Sequence, residues 1–317
     1  MTKAALAVDA GQTNIRAALV HDGRGPRSAV APGVIRLGMG GGREVVSERL
    51  LAAVEELGPL PEEPARRAAI GLSGFEAVGD EDLGWIAGEF RRGAGVESLA
   101  IASDGLTALL GAIGARDGVV VAAGTGTACL ARRGTRFAKV DGWGSLLSDA
   151  GSGFAIGRAG LDAALREYDG RPGSAPLLDA ARERFGGEIE ELPEQIYSAP
   201  VPTRAVASFA VDVADAAEAG DEYARTILAD AAGELATSAC AAAGRLFEPG
   251  EEVLVSYTGS VFGAGELIAA PFRREVEARL PGSTVAQPEG DPLAGALLLV
   301  ELADELPDEP GILRKWP

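Results

Sequence analysis

The sequence predicts an α/β protein made of two domains. Strand-like apolar runs alternate with segments of helical apolar spacing, which is the pattern of βαβ units. A strand, a glycine-containing turn and a return strand occur together twice, near residue 9 and again near residue 124. This repetition favours a duplicated domain, and 317 residues are enough for about two domains of ~150 residues each.

The first half of the chain begins with two apolar runs that predict a β-hairpin, because only a short polar connection separates them. These runs are Ala4–Asp9 and Ile15–Val20, and the turn His21-Asp22-Gly23 follows the second. A helix is predicted at Glu44–Leu57, which stops at Gly58-Pro59. The elements after it alternate: the strand Ala68–Leu72, the helix Leu83–Arg91, the strand Leu99–Ala102 and the helix Leu106–Ile113.

The pattern starts again in the second half, where the β-branched run Gly118–Ala123 and its return strand Ala128–Arg132 flank a glycine turn. Two Ala-rich helical segments follow, and the stretch between them, Gly170–Tyr197, predicts surface elaboration because it is rich in Glu, Gly and Pro. The remaining elements are helices at Phe154–Arg166 and at Thr203–Leu246 (broken near Gly220), a strand at Glu252–Tyr257, and helices at Phe272–Arg279 and Leu293–Leu306.

The charge balance excludes two classes of partner. The chain has 29 Lys and Arg against 47 Asp and Glu, a formal net charge of −18. Nucleic-acid binding needs clustered cations, and anionic membrane surfaces also attract basic proteins, so neither partner is expected. The longest apolar runs, such as Leu293–Val300, fall short of the ~20 residues of a spanning helix. No signal peptide pattern precedes the first strand-like run, so we expect a cytoplasmic protein.

Few residues are available for metal or thiol chemistry. His21 is the single histidine, so a His-based metal cage is excluded and a Ser-His-Asp hydrolase would depend on His21 alone. Cys129 and Cys240 are isolated in the sequence and form no C-x-x-C motif. One bridge between them stays open, and two reduced thiols are the favoured interpretation.

Two common nucleotide motifs are absent. The sequence contains no Gly-Lys dipeptide, so a P-loop is excluded. No segment completes G-x-G-x-x-G, and the near match Gly263-Ala264-Gly265 continues with Glu-Leu-Ile, so the usual dinucleotide signature is missing. Protein-kinase signatures are absent as well.

Five glycine-rich turns are present, most of them at the end of an apolar run, and their order is more specific than any one turn. In chain order they are Asp9-Ala10-Gly11-Gln12-Thr13; Ser103-Asp104-Gly105; Gly124-Thr125-Gly126-Thr127; Gly142-Trp143-Gly144 through Asp149-Ala150-Gly151-Ser152-Gly153; and Thr258-Gly259-Ser260-Val261-Phe262.

This ordered set resembles the superfamily that unites sugar kinases, heat-shock chaperone ATPases and actin. Within it, the chain is most similar to the BadF/BadG/BcrA/BcrD-type ATPases, a group that includes the N-acetylglucosamine kinases. The resemblance runs from Val8 to about Val300, and Gly-Trp-Gly followed by Asp-x-Gly-Ser is its most diagnostic part. It implies two RNase H-like α/β domains of the actin/hexokinase type with an interdomain cleft. The expected domains are 1–116, joined by the C-terminal helix 293–317, and 117–292 with helical insertions.

The resemblance also implies a kinase that transfers the γ-phosphoryl group of MgATP to a hydroxyl of an amino sugar, N-acetylglucosamine or glucosamine. Such transfer needs positioned phosphates, Mg²⁺ and a base near the accepting hydroxyl. By this resemblance, Asp104 falls at the position of the family's catalytic base, and Asp9 is expected to hold Mg²⁺ through water. The implied ATP contacts are Gly11, Gln12, Thr13, Asn14, Gly124, Thr125, Gly126, Thr127, Gly259, Ser260 and Phe262. The implied sugar contacts are Ser73, Asp104, Gly126, Gly142, Trp143 and Asp149.

Simpler structural roles stay open for several of these residues. Asp9 suits a turn cap, Asp104 suits a helix N-cap, Trp143 suits the core, and Asp149 suits a cap of the segment that follows it.

Three departures from the family pattern bear on specificity. Ala150 stands where these proteins usually carry Glu, Ala128 replaces a polar residue, and Arg36–Gly42 replaces a more polar sugar-binding loop. Pocket polarity selects the sugar, so the identity of the sugar, and of its reacting hydroxyl, is left open. Two other functions stay open: an ATPase that activates a partner enzyme, and an inactive sugar sensor. A homodimer is expected from the resemblance alone.

Overall fold

The structure is a computed structural model that describes residues 4–12, 14–21, 24–33, 42–59 and 67–317. The chain forms two compact units. Unit 1 comprises residues 1–116 and 288–317, and unit 2 comprises residues 117–287. Within the described ranges, no helix combines the length and the hydropathy that crossing a membrane requires.

The strands are β1 (Ala5–Ala10), β2 (Asn14–His21), β3 (Arg24–Pro32), β4 (Arg67–Leu72), β5 (Ser98–Ser103), β6 (Gly118–Ala123), β7 (Thr127–Arg133), β8 (Arg136–Val140), β9 (Val253–Thr258), β10 (Ser283–Val285) and β11 (Leu313–Trp316). The helices are α1 (Arg43–Glu55), α2 (Asp80–Ala94), α3 (Asp104–Ile113), α4 (Gly153–Tyr168), α5 (Ala175–Phe185), α6 (Leu192–Tyr197), α7 (Pro202–Ser208), α8 (Ala210–Glu218), α9 (Glu222–Ala243), α10 (Glu266–Arg279) and α11 (Pro292–Leu302).

Unit 1 is built on a six-stranded sheet in the order β11-β5-β4-β1-β2-β3. Strands β1, β4 and β5 are parallel, while β2, β3 and β11 run antiparallel to their neighbours. Leu6, Ile70 and Ile101 of the sheet are fully buried with Leu50 of α1 and Phe90 of α2. Helix α11 packs against α3, β1 and β4. The parallel strands place the ends of β1, β4 and β5 at one edge.

Unit 2 repeats this plan with a five-stranded sheet in the order β10-β9-β6-β7-β8. Strands β6, β9 and β10 are parallel, and β7 and β8 are antiparallel to their neighbours. Val121 of β6, Leu235 of α9 and Phe272 of α10 are fully buried in its core. The α/β class predicted from the sequence is therefore confirmed, with one mixed sheet in each unit.

The interpretation of Gly170–Tyr197 as surface elaboration is wrong in one respect. Helix α5 begins at the Ser174 cap, whose Oγ accepts a hydrogen bond of 3.2 Å from the Leu177 backbone N. Leu177 and Leu178 are buried in the core of unit 2, and α5 packs against α4. The two leucines drive this packing because burying a leucine side chain contributes roughly 1.5–3 kcal/mol.

Both cysteines are free thiols. Burial raises the pKa of the fully buried Cys129 thiol strongly, and burial also raises the pKa of the half-buried Cys240. Because the thiolate is the reactive form, a raised pKa leaves little of it at neutral or mildly alkaline pH.

We therefore expect Cys129 to be inert to a thiol-reactive disulfide reagent at pH 8 in the native protein. Cys240 should react slowly, and both thiols should react at once in denaturant. A thiol titration with and without denaturant, repeated on Cys240→Ser, measures this. Rapid reaction of native Cys240→Ser would contradict the buried position of Cys129.

Candidate active site

The hairpin between β1 and β2 presents polar groups at the sheet edge. The Gly11 backbone N donates a hydrogen bond of 3.0 Å to the Asn14 carbonyl, and Gln12 and Asn14 are exposed. A Cβ at Gly11 would lie 3.0 Å from that carbonyl, which explains glycine there. Thr13 and the loop residues 36–41 lie outside the described residues.

Asp9, at the end of β1, is held by an arginine. Its Oδ2 accepts hydrogen bonds from Arg16 Nη2 at 2.6 Å and from Nε at 3.1 Å, because the two residues face each other across β1 and β2. Arg16 Nη1 also donates to Asp291 Oδ2 at 2.6 Å. Burial raises the pKa of the Asp9 carboxyl, although the hydrogen bond and charge of Arg16 act to lower it. Asp9 is thus part of an ion pair with Arg16.

Asp291 anchors the far end of this ion-pair chain. Its Oδ1 accepts a hydrogen bond of 2.9 Å from the Ala294 backbone N and so caps α11. Burial acts to raise the pKa of Asp291, but the backbone hydrogen bond from Ala294 and the charge of Arg16 outweigh it and lower the pKa. Arg16 thereby connects the hairpin to the start of α11.

Removing Arg16 should cost stability in a pH-dependent way. Arg16→Ala leaves the Asp9 carboxylate buried without its counter-charge, so we expect a loss of about 2 kcal/mol at pH 7.5. The pKa of Asp9 is already raised in the folded state, and it should rise further without Arg16. A carboxyl whose pKa is higher in the folded than in the unfolded protein loses stability as the pH rises from the unfolded pKa to the folded one. The loss of stability of Arg16→Ala relative to wild type should therefore be smaller at pH 4.5 than at pH 7.5.

Thermal melts in metal-free buffer at both pH values measure this effect. Arg314→Ala is the control, since Arg314 also bridges two aspartates, Asp80 and Asp308, and neither of these carboxylates is as buried as that of Asp9. A deficit that does not change with pH would contradict the role given to Arg16.

Asp104 is the first residue of α3, directly after β5. The cap of this helix is Ser103, whose Oγ accepts a hydrogen bond of 3.3 Å from the Leu106 backbone N. The alternative that Asp104 is the N-cap is therefore wrong. Asp104 is partly exposed and lies in the first turn of α3.

The strand register brings Asp104, Ser73 and Asp9 to one edge of the sheet of unit 1. Ala10 pairs with Leu72, and Leu72 pairs with Ser103, so the residues that follow these strands are neighbours. Ser73 backbone N donates to the Ala10 carbonyl at 3.0 Å, and Gln12 Nε2 donates to Ser73 Oγ at 3.4 Å. Four predicted site residues, Asp9, Gln12, Ser73 and Asp104, thus share this edge.

In unit 2 the turn between β6 and β7 is held against the start of α4. The Gly153 backbone N donates to the Gly124 carbonyl at 2.7 Å, and the Phe154 N donates to the Thr125 carbonyl at 3.1 Å. Thr127 is buried, and its Oγ1 has no hydrogen-bond partner among the described residues. A buried hydroxyl without a hydrogen-bond partner costs about 1–3 kcal/mol.

The turn after β9 lies beside the turn between β6 and β7. Gly259 has φ of 103°, and a Cβ there would lie 2.2 Å from the Ala123 carbonyl, so only glycine allows the approach. A cavity of about 470 Å³ opens between these two turns and the helices α4, α7 and α8. Its lining includes Gly124, Thr125, Ser260 and Arg204. Such a volume suits a small-molecule ligand.

Phe262, one of the predicted ATP contacts, packs in an aromatic cluster. Its ring stacks on Tyr257 with centroids 4.2 Å apart and meets Phe272 edge-on at 5.5 Å. Phe262 therefore packs on Tyr257 and Phe272, while its neighbours Ser260, Val261 and Gly263 line the cavity.

The segment from Asp141 to Asp149, called here the 141–149 loop, carries the predicted sugar contacts. Asp149 is buried, its Oδ1 accepts a hydrogen bond of 3.3 Å from the Gly144 backbone N, and a Cβ at Gly126 would lie 2.6 Å from its Oδ2. The cap of α4 is Ser152, so Asp149 does not cap that helix. Trp143 is 77% exposed, which rules out the core alternative.

The two alanines that depart from the family pattern lie beside this loop. Ala128 Cβ lies 3.3 Å from where a Gly142 Cβ would be. Ala150 lines a second cavity of about 500 Å³ between the loop, α4 and α9, which also contains Arg158 and Glu234.

Sequence reasoning missed three residues that organise these groups: Arg16, Asp141 and Asp291. The sequence carries a signal for Asp291, because Asp291-Pro292 is typical of a helix start. It carries none for the Arg16 contact, because no local pattern links a β2 residue to a residue 275 positions later.

Comparison with known proteins agrees with this architecture. An N-acetylmuramic acid/N-acetylglucosamine kinase from Clostridium acetobutylicum is 28% identical over 260 residues, which cover 81% of this chain and 84% of that protein. The structure of a candidate N-acetylglucosamine kinase from Chromobacterium violaceum superposes with a TM-score of 0.70 and 29% identity, and covers 94% of this chain and 99% of that one.

A ROK family glucokinase from Streptomyces griseus, solved with glucose and AMPPNP, shares the fold with a TM-score of 0.63 at 18% identity; 94% of this chain and 98% of that chain are covered. The profile of the BadF/BadG/BcrA/BcrD ATPase family matches residues 6–300, which confirms the family predicted from the ordered glycine turns. The chain belongs to the BadF/BadG/BcrA/BcrD ATPase family.

Proposed function

We propose that the protein transfers the γ-phosphoryl group of ATP to a hydroxyl of an amino sugar, N-acetylglucosamine or glucosamine, with Asp104 as general base. The observation that carries this proposal is the strand register, which puts Asp104 and Asp9 at one edge of the unit 1 sheet. The class, a sugar kinase, agrees with the family and with the activities of the named relatives.

Asp104 is suited to take the proton of the accepting hydroxyl. A carboxylate that lies beside the accepting hydroxyl can accept its hydrogen bond and then its proton. The side-chain cap of α3 is provided by Ser103. Ser73 lies at the same edge and offers a hydroxyl to the sugar.

The backbone of the glycine turns is suited to hold the phosphates of ATP. Turns of this kind present N–H groups to phosphate oxygens, and the Thr127 hydroxyl adds a buried donor. Gln12 and Asn14 of the first hairpin are exposed and offer further donors. The base and ribose would occupy the cavity of about 470 Å³ that begins at this turn.

Asp9 fits a magnesium site. Arg16 binds the carboxylate through Oδ2, and a carboxylate oxygen is a suitable partner for a water of hydrated Mg²⁺, a cation that prefers oxygen ligands and keeps several waters. The bound ion would supply positive charge that offsets the triphosphate. Arg16 holds the carboxylate in place and itself adds positive charge at this edge.

The 141–149 loop is suited to bind the sugar. Asp149 offers carboxylate oxygens to sugar hydroxyls, and the exposed Trp143 ring offers an apolar wall. Ala128 and Ala150 supply no polar partner, so they leave room beside the loop but do not read an acetamido group. Glucosamine is therefore as good a candidate as N-acetylglucosamine.

A substrate screen tests the proposal. Release of ADP is measured with N-acetylglucosamine, glucosamine, N-acetylmuramic acid and neutral hexoses, and we expect the highest kcat/KM for one of the amino sugars. The absence of turnover above background for every sugar would overturn the proposal. Calorimetry on the same sugars separates an inactive protein from a sugar sensor, which would bind without phosphorylation.

The partner-activating ATPase is the weaker alternative. In that class cysteines hold an iron–sulfur cluster between two subunits, whereas Cys129 is buried in β7 and Cys240 lies on α9. Anaerobically purified protein should accordingly contain no iron. The homodimer and the cytoplasmic location belong to the proposal, and light scattering tests the first of them.

A further inference from the structure

The 141–149 loop is closed by one carboxylate. Asp141 Oδ1 accepts hydrogen bonds from the backbone N of Gly142 and of Asp149, each at 2.9 Å, and from the Ser148 hydroxyl. Asp141 Oδ2 accepts a bond of 3.4 Å from Ser238 Oγ of α9. The carboxylate at the start of the loop thus binds the other end of the loop, eight residues away. It also links the loop to helix α9 through Ser238.

The backbone of the loop is strained at both ends. Asp141 has φ of 64° and Asp149 has φ of 61°, and no other non-glycine residue in the described ranges has a positive φ. Positions of this kind cost about 1–3 kcal/mol and persist only when the surroundings over-determine them. Glycine at either position would avoid that cost, so the contacts of the two aspartate side chains must offset the conformational strain of the backbone.

Apolar packing does not explain the shape of the loop. Its large apolar side chains point outwards, with Trp143, Leu146 and Leu147 at 77%, 89% and 85% exposure. Hydrogen bonds to a carboxylate are stronger than neutral ones, and those of Asp141 are the main contacts that join the two ends of the loop. The loop geometry therefore depends on Asp141.

We propose that Asp141 is a positioning residue for the sugar. It fixes the backbone N of Asp149, and thereby directs the Asp149 carboxylate towards Gly126 of the turn between β6 and β7. Asp141 itself is engaged by four protein donors and acts through Asp149, not by touching substrate. This inference rests on the proposed sugar kinase activity for its functional part, and on geometry alone for the clamp.

Two substitutions separate the carboxylate from the backbone conformation. Asp141→Gly permits the positive φ but removes every bond to the carboxylate, and Asp141→Asn retains an acceptor oxygen without the charge. For Asp141→Gly we expect the KM for the sugar to rise at least tenfold while the KM for ATP stays within twofold. The KM of Asp141→Asn for the sugar should lie between the values of Asp141→Gly and wild type.

A matched control is Asp117→Asn. Asp117 also receives a backbone hydrogen bond at a turn of unit 2, from Gly134 N at 2.7 Å, but at the opposite end of β6. Its KM values should match those of wild type. An Asp141→Gly enzyme with unchanged sugar KM, or one in which both KM values rise together, would overturn the positioning role.

Hydrogen–deuterium exchange tests the clamp without relying on activity. Asp141→Gly should speed the exchange of the amides of residues 142–149 at least tenfold and leave residues 118–133 unchanged. If wild type phosphorylates no sugar, the proposed function fails, and exchange still decides whether Asp141 clamps the loop. Unchanged exchange in residues 142–149 would refute the clamp whatever the activity.

Discussion

We expect Asp104→Asn to lower kcat for the sugar by about 10²–10⁴-fold, the range that a positioned general base contributes, and to leave the KM for ATP within about twofold. The amide has the size of the carboxylate but cannot take up the proton of the accepting hydroxyl. Because Ser103 caps α3, the substitution leaves the cap intact. The measurement is steady-state ADP release with the sugar selected by the screen, together with calorimetric binding of ATP.

The control for this variant is Asp80→Asn. Asp80 begins α2 as Asp104 begins α3, but it pairs with Arg314 instead of facing the hairpin edge. Its substitution should leave kcat unchanged. If Asp104→Asn turns over as fast as wild type, Asp104 is not the base.

Gly295→Ala destabilises the protein by about 3 kcal/mol, at the upper end of the cost of overpacking. Helices α3 and α11 touch through their backbones, and a Cβ at Gly295 would lie 1.8 Å from the Thr107 carbonyl and 2.5 Å from the Gly111 backbone N. Neither atom belongs to a flexible side chain, so one helix must move. The displaced helix is α3, which carries Asp104, or α11, which begins at Asp291.

Thermal melting and soluble yield measure this loss. Gly88→Ala is the control, since Gly88 lies inside α2 with no atom within 4 Å of its Cβ position. That substitution should stabilise the protein by about 0.5–1 kcal/mol, because alanine restricts the unfolded chain and favours a helix. A Gly295→Ala protein that melts like wild type would show that the α3–α11 contact is looser than described.

The parts of the fold that the sequence predicts are those with a local signal. β1, β5 and β6 are apolar runs that end in glycine or aspartate, and their turns could be placed from composition alone. The strands β3, β8, β10 and β11 were missed. They lie at or next to sheet edges, are short or rich in polar residues, and owe their conformation to a neighbouring strand rather than to their own pattern.

The candidate site divides in the same way. Asp9, Asp104 and the glycine turns could be predicted because each follows a recognisable strand. The Arg16–Asp291 ion pair joins residues 275 positions apart, and the positive φ of Asp141 leaves no mark on the hydrophobic pattern. Such features depend on tertiary contacts, which a reading of local periodicity does not contain.

The division of the chain has a consequence for its synthesis. Unit 1 is assembled from residues 1–116 and 288–317, whereas unit 2 is one continuous segment. β11 pairs with β5, and α11 packs on α3, so the pieces that finish the sheet bearing Asp104 leave the ribosome after every residue of unit 2. Domains generally fold in the order in which they emerge; here the unit that starts first is completed last, and an incomplete chain lacks the support behind its proposed base.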